Sequence, residues 1–292
     1  MKIVNNKGFT LIELLAVFVI LAVIAAITIP IVSKTVLKSK SDTAKISAKS
    51  YEDAVNQALM EEELNGSKMP NGYYDVKSNG NLCLKTCNND CGYGLEVDAK
   101  NTRPTGGYVV ISDSDVVWYE LTINDKTVLK GEYTPLKYFT FNSNSGTISA
   151  SSEHDIENDG IENLVIPNEI NGVKVKNIGS FDDAVLESVI LPKDLETISD
   201  NAFSQNHLSS IVIPNKVKRI GSYAFQENQI ENLYIPTSVT EIGEFAFQDN
   251  NLSSVIIFNL KEKVSIADDA FDYQLTGEEI INLTENDIIW KG

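Results

Sequence analysis

The chain has 292 residues, 42% hydrophobic and 22% charged, and a formal net charge of −17. Residues 1–49 hold seven lysines and two acids, so the rest is more acidic still and should repel nucleic acid and anionic lipid. Direct nucleic-acid contact is therefore not expected, and the length allows two modest domains beside an anchor.

The first predicted element is apolar. Phe9 to Val32 carries a single charge, Glu13. At ~1.5 Å rise per residue, a helix of this length crosses a hydrocarbon core of ~30 Å. A carboxylate inside such a span costs ~2.5–3.5 kcal/mol at the centre and less near an interface. A lone subunit offers Glu13 no partner, whereas in a bundle of such helices a neighbour's terminal amine can neutralise it. The charge thus penalises the monomer and favours assembly in register. Pro30 removes the hydrogen bond to the Ala26 carbonyl, giving either a flexible point for packing or a kink at the membrane exit.

The stretch Gly8-Phe9-Thr10-Leu11-Ile12-Glu13, after a short leader with Lys2 and Lys7, resembles the class III signal of type IV pilins and pseudopilins. The resemblance implies cleavage between Gly8 and Phe9 by a prepilin peptidase, N-methylation of Phe9, and a role for Phe9, Glu13 and Pro30 in assembly with other pilin-like subunits. It covers residues 1 to about 35.

From Ser33 to Leu64 the pattern stays helical and becomes amphipathic, with Val36, Leu37, Ala44, Ile46, Tyr51, Ala54, Val55 and Leu59 as an intermittent stripe. Asn65-Gly66 reads as its stop. Residues 65–106 are rich in Asn, Gly and Ser and read as loop. They carry Cys83, Cys87 and Cys91, and three readings stand: a local disulfide with one thiol left over, reduced thiols, or a metal site. Three strands follow, Gly107–Ser112, Val116–Ile123 and Thr127–Glu132, as an antiparallel meander suited to covering a helix. The acidic turn at Ser112–Asp115 and the half EF-hand pattern at Asp155–Gly160 read as solvated loops rather than calcium sites.

Residues 161–271 repeat. Leu186, Leu208, Ile230 and Leu252 are 22 apart, as are Pro192, Pro214 and Pro236, and Phe203, Phe225 and Phe247. The pattern L-x-x-I-x-I-P…I-G-x-x-A-F resembles BspA-like leucine-rich repeats, in five recognisable units. Phe258 replaces the proline in the last unit, and the first unit lacks the Ala-Phe pair. The first, fourth and sixth residues of each unit, such as Leu208, Ile211 and Ile213, should face inward, with the phenylalanines on the opposite wall. Tyr138–Ser149 and Glu279–Trp290 should cap the two ends. The fifth residues, Val165, Ile190, Val212, Tyr234 and Ile256, should form an apolar ladder on the exposed sheet. That ladder reads either as a binding surface for a protein or glycan or as plain β-propensity.

The expected class is α+β: a long N-terminal transmembrane, pilin-like helix with a small antiparallel sheet, followed by a leucine-rich-repeat solenoid. The expected segments are a leader (1–8), the helix (9–64, membrane span about 9–32), a small head (65–134) and the repeat domain (135–292). The two histidines, His154 and His207, lie near no nucleophile–base pair, and no phosphate-binding loop or sortase-type wall signal is recognised, so neither an enzyme nor a cofactor is expected. The expected role is a pilin-like, minor subunit displaying a recognition module. Its place is the bacterial cytoplasmic membrane and then the cell surface or an extracellular filament. The alternatives are a pseudopilin of a secretion or DNA-uptake machine and an anchored receptor that never polymerises.

Overall fold

A computed structural model describes residues 11–85, 91–99, 103–259, 261–276, 279–281, 283 and 287–291. Side chains are described from Lys38 onward, except at 85, 91, 92, 276 and 279–281. Helix α1 runs Leu11–Leu64, 54 residues, close to the expected 9–64. It ends as expected: Gly66 adopts φ +79°, and Ser67 N–H reaches back to the Glu62 carbonyl at 2.9 Å. Among the residues described with side chains, no helix is long and apolar enough to cross a membrane. The apolar run Phe9–Val32 lies outside them.

The head is larger than the meander. Its six strands are β1 (Gly72–Val76), β2 (Leu82–Lys85), β3 (Cys91–Leu95), β4 (Gly106–Ser112), β5 (Asp115–Ile123) and β6 (Lys126–Leu129). They form one antiparallel sheet ordered β3-β2-β1-β4-β5-β6. The expected meander is β4–β6, whereas β1–β3 occupy the stretch read as loop. Ala44, Ala48, Tyr51, Val55, Ala58 and Leu59 of α1 cover one face, against Tyr74, Val109, Ile111, Tyr119 and Leu121. Their spacing of three and four residues places them on one side of the helix. Ile46, expected in that stripe, is 69% exposed.

The repeats coil into a solenoid opened by a hairpin, β7 (Phe139–Asn142) and β8 (Thr147–Ala150), which caps it as expected. From β8, two-residue parallel strands step along one wall: Asn177–Ile178, Thr197–Ile198, Arg219–Ile220, Glu241–Ile242 and Ser265–Ile266. Glycine follows three of these strands, at 179, 221 and 243, where the backbone comes close to the previous turn: a Cβ on Gly221 would meet the Asp200 backbone nitrogen at 2.5 Å, and one on Gly243 the Ser222 nitrogen at 2.6 Å. Each proline opens a turn, with Leu195, Val217 and Val239 N–H donating to the carbonyls of Pro192, Pro214 and Pro236 at 3.1 Å. At the far end Ile288–Trp290 adds a parallel strand beside Val255–Ile257, within the expected cap.

Two internal columns hold the coil. Phe181, Phe203, Phe225, Phe247 and Phe271 stack ring on ring at 5.2–5.6 Å, with Phe139 of the cap set edge-on to Phe181. Phe181, 22 residues before Phe203, supplies the phenylalanine of the first unit without the preceding alanine, three residues after Ile178 where later units have five. The second column is polar. Asn206, Asn228, Asn250 and Gln274 are buried. Each side-chain oxygen accepts the N–H of the residue that opens a unit, Leu186, Leu208, Ile230 and Leu252 in turn. Each amide nitrogen donates to phenylalanine carbonyls beside it.

Candidate functional site

The residues picked from the sequence separate into three groups. Gly8 and Phe9 lie outside the described residues. Glu13 and Pro30 fall within α1, but their side chains lie outside the description too. Cys83 is disulfide-bonded, which selects the disulfide reading over thiols and metal for that residue. Cys87 lies outside the described residues, and of Cys91 only the backbone, at the start of β3, is described.

The ladder Val165, Ile190, Val212, Tyr234, Ile256 corrects an expectation. Its residues do project outward from the solenoid, but they do not face solvent. Val212 is 8% exposed and packs with Tyr73, Tyr108, Val110 and Trp118, with Val165 and Ile190 alongside. Tyr234 and Ile256 pack with Phe258 against the helix-side core. The head sheet is therefore covered twice, by α1 on one face and by the repeats on the other. Alternation along β4 records it: Tyr108 and Val110 meet the repeats while Val109 and Ile111 meet the helix.

Polar bonds fix the register of this junction. Tyr73 donates its hydroxyl to the Leu191 carbonyl at 2.7 Å, and its own carbonyl accepts from Asn215 Nδ2 at 2.9 Å. Asn168 Nδ2 reaches Glu120 at 2.8 Å and the hydroxyls of Tyr108 and Tyr133 at 3.2 Å each. Lys193 Nζ sits 5.0 Å from the Tyr108 ring centre. Asn168, Lys193 and Asn215 are the residues directly after the repeat prolines, so the proline turn aims one side chain per unit at the head. Phe258, where the last unit departs from proline, stacks on Tyr234 at 6.3 Å and meets Tyr93 of β3 edge-on at 5.6 Å. The space left between Gly72, Leu84, Tyr234 and Phe258 is only about 10 Å³, at the lower limit for a single water. The departure at Phe258 was visible in the sequence, whereas Tyr73 and Asn168 carried no signal there.

On the opposite side of the junction a cleft of about 920 Å³ stays open between β5, β6 and the Thr134–Leu136 connection and the first three units. Its floor is ionic. Asp194 takes Lys174 at 2.6 Å and also pairs with Lys216. Burial alone would raise the Asp194 carboxyl, but hydrogen bonds and charge from the two lysines outweigh it and hold the group below its ordinary 3.8. Burial, with Glu120 nearby, pushes the Tyr133 phenol up to about 12.

Glu52, under the sheet, is lowered from 4.5: burial raises it, and Lys130 and Lys49 overcome that. A depressed carboxyl contributes stability that is complete above its unfolded value and is lost as pH falls through its folded one. Melting temperature should therefore hold between pH 7 and about pH 5 and fall below that, with the acid limb flattened by Lys130→Gln or Lys216→Gln. An acid limb that neither substitution alters would refute this assignment.

Comparison with known sequences fits the two ends of the chain. Residues 3–29 match the prokaryotic N-terminal methylation motif, and residues 156–276 match the BspA type leucine rich repeat region in six copies, one more than the units read above. The chain joins a prepilin-type N-terminus to BspA-type leucine-rich repeats. That N-terminus implies processing by prepilin peptidase, membrane anchoring and surface exposure. No curated protein matches the chain. A similar solved structure is that of the T. pallidum leucine rich repeat protein, at 20% identity over 44% of this chain and 72% of that one, with a TM-score of 0.32. Among the described residues no group of His, Cys, Asp or Glu could hold a metal ion. Asp159, in the half EF-hand stretch, is taken by Tyr138 at 2.8 Å and Lys137 at 3.4 Å.

Proposed function

We propose that this chain is a pilin-like, minor subunit with no catalytic role, carrying its repeats as a recognition module on a surface filament. The observation that supports this most is the doubly covered head sheet. The helix of the prepilin-type end packs on one face of the sheet and the repeats pack on the other, so a force or an orientation imposed on the helix is transmitted to the repeats through packed side chains. A module tethered only for reach would need a linker, and a polar, flexible one serves best. Here the connection instead docks: Thr134 N–H bonds to the Val165 carbonyl at 2.9 Å, and its hydroxyl accepts from Val165 N–H at 2.8 Å. The bulk of the repeats favours a subunit present in few copies per filament, since one on every subunit would crowd a shaft.

Glu13→Ala tests the assembly step. Membrane insertion should persist, because the change removes a charge from an apolar span. Incorporation should drop several-fold, since alanine removes the pairing with a neighbour's amine that rewards assembly, a pairing that offsets a carboxylate cost of ~2.5–3.5 kcal/mol at the centre of the span and less near its end, where Glu13 lies. The readout is the ratio of the chain in sheared surface fractions to that in membranes. Mass spectrometry of the sheared wild-type protein should give a chain starting at methylated Phe9. A wild-type chain retaining Met1 and found only in membranes would favour the anchored, non-polymerising receptor.

A further inference from the structure

We propose that the open cleft between head and repeats binds an acidic glycan, a sugar chain bearing carboxylates. Its volume of about 920 Å³ falls inside the ~300–1,000 Å³ range of ligand pockets. The cleft gathers three ammonium groups, Lys174, Lys193 and Lys216, in a chain with 24 basic and 41 acidic residues. Two of them share one carboxylate. Asp194 is 10% exposed, while the Lys174 and Lys216 side chains are 56% and 60% exposed, so this trio presents one net positive charge at the cleft surface. The third is loosely paired. Lys193 lies 3.9 Å from Glu120, whose carboxylate already takes Asn168 at 2.8 Å and Tyr133 at 3.3 Å.

The facing wall is of a different kind. Leu129, Tyr133 and the half-exposed Leu136 offer an apolar and aromatic surface. A pyranose ring has an apolar C–H face for such a wall and hydroxyls that both donate and accept. Glu169, exposed at the cleft, accepts from hydroxyls, while the lysines take a sugar carboxylate. The lining sets three lysines against three carboxylates, so a dense run of aspartates or glutamates is disfavoured, and an occupant with few carboxylates among many hydroxyls fits better, which sets a glycan above an acidic peptide. The cleft lies off the ladder expected to bind, on residues that the repeat pattern places just after the prolines or on the neighbouring turns. This inference gives the recognition role a ligand class. It is tested on purified protein, so its outcome is independent of whether the chain enters filaments.

The test is calorimetric titration of the full chain in detergent with a uronate-bearing tetrasaccharide, and with the same sugar after its carboxyls are reduced to alcohols. The intact sugar should saturate one site per chain, and the reduced sugar should bind about tenfold more weakly or worse. Lys193→Gln and Lys216→Gln should each weaken binding about five- to tenfold, whereas Lys216→Arg should stay within about threefold. If Lys216→Gln lowers the melting temperature, Lys193→Gln carries the comparison, because it leaves the Asp194 pairs intact. Absence of saturable binding, equal binding of the reduced sugar, indifference to both glutamine variants, or tighter binding of an oligoglutamate peptide would each overturn the proposal.

Discussion

Asn228→Ala should destabilise the protein by about 3 kcal/mol or more, although the side chain removed is small and polar. Its oxygen accepts Leu208 N–H at 3.0 Å, and its nitrogen donates to the carbonyls of Phe203, Phe225 and Gln226 at 2.8–3.2 Å. Alanine leaves the buried Leu208 N–H and Phe203 carbonyl short of a partner, whereas the Phe225 and Gln226 carbonyls keep Asn250 Nδ2 and Gln205 N–H, and each orphaned group costs ~1–3 kcal/mol because no water replaces the lost bond. Asn228→Asp should be no better. It restores the acceptor for Leu208 but turns a second oxygen on carbonyls that need a donor. Asn228→Gln should fail as well, since Gln274 fills this role only where the last unit is two residues longer. Gln229→Ala, at an exposed neighbour, should stay within about 0.5 kcal/mol. Urea denaturation of the four variants measures the series, and an Asn228→Ala midpoint equal to that of Gln229→Ala would show that the polar column contributes nothing. Because each unit touches only its neighbours, a broken middle rung should weaken both flanking units.

What the sequence revealed and what it hid follow from how periodicity arises. The 22-residue spacing exposed the inward positions and the phenylalanine column, because each unit meets an identical neighbour and repeats its solution. The asparagines at 206, 228 and 250 kept the same spacing, yet a polar residue at a fixed interval reads as a surface turn until a structure shows it buried. Strands β1–β3 were missed for a different reason. A strand covered on both faces loses its two-residue alternation, and Asn- and Gly-rich turns separate Tyr73-Tyr74 from Leu82 and Leu84. The outward ladder was placed on the correct face of the solenoid, but periodicity reports how a unit packs on its neighbours and says nothing about a foreign sheet that covers the remaining face. The one local clue was Phe258. A large aromatic in place of a turn-forming proline costs the turn its rigidity, and the residue is explained once Tyr93 and Tyr234 are seen around it.

Val212→Asp should separate the repeats from the head while leaving each folded. Val212 is 8% exposed among the apolar and aromatic side chains of Tyr73, Tyr108, Val110 and Trp118. Keeping a new carboxylate charge buried and unpaired there would cost several kcal/mol. Opening the junction instead hydrates it, at the expense of the aromatic contacts and the Tyr73 and Asn168 bonds. The solenoid's own core is untouched, because Leu208, Ile211 and Ile213 point the other way and stay within 2% exposure. Calorimetry should therefore change from one coupled transition to two, with the solenoid melting separately from the head. Limited proteolysis should cut faster around Thr134, which is buried and bonded to Val165 while the junction is docked. Val212→Ala, which removes bulk without adding charge, should lower the single transition and keep it single. A lone transition in Val212→Asp, with unchanged proteolysis, would mean that head and repeats are not held by this face. If the two do separate, a filament carrying Val212→Asp would still display repeats, but on a swivel. Comparing its ligand capture under flow with that of wild type then measures what the rigid junction contributes: a fixed orientation between the helix that anchors the chain and the cleft beside the repeats.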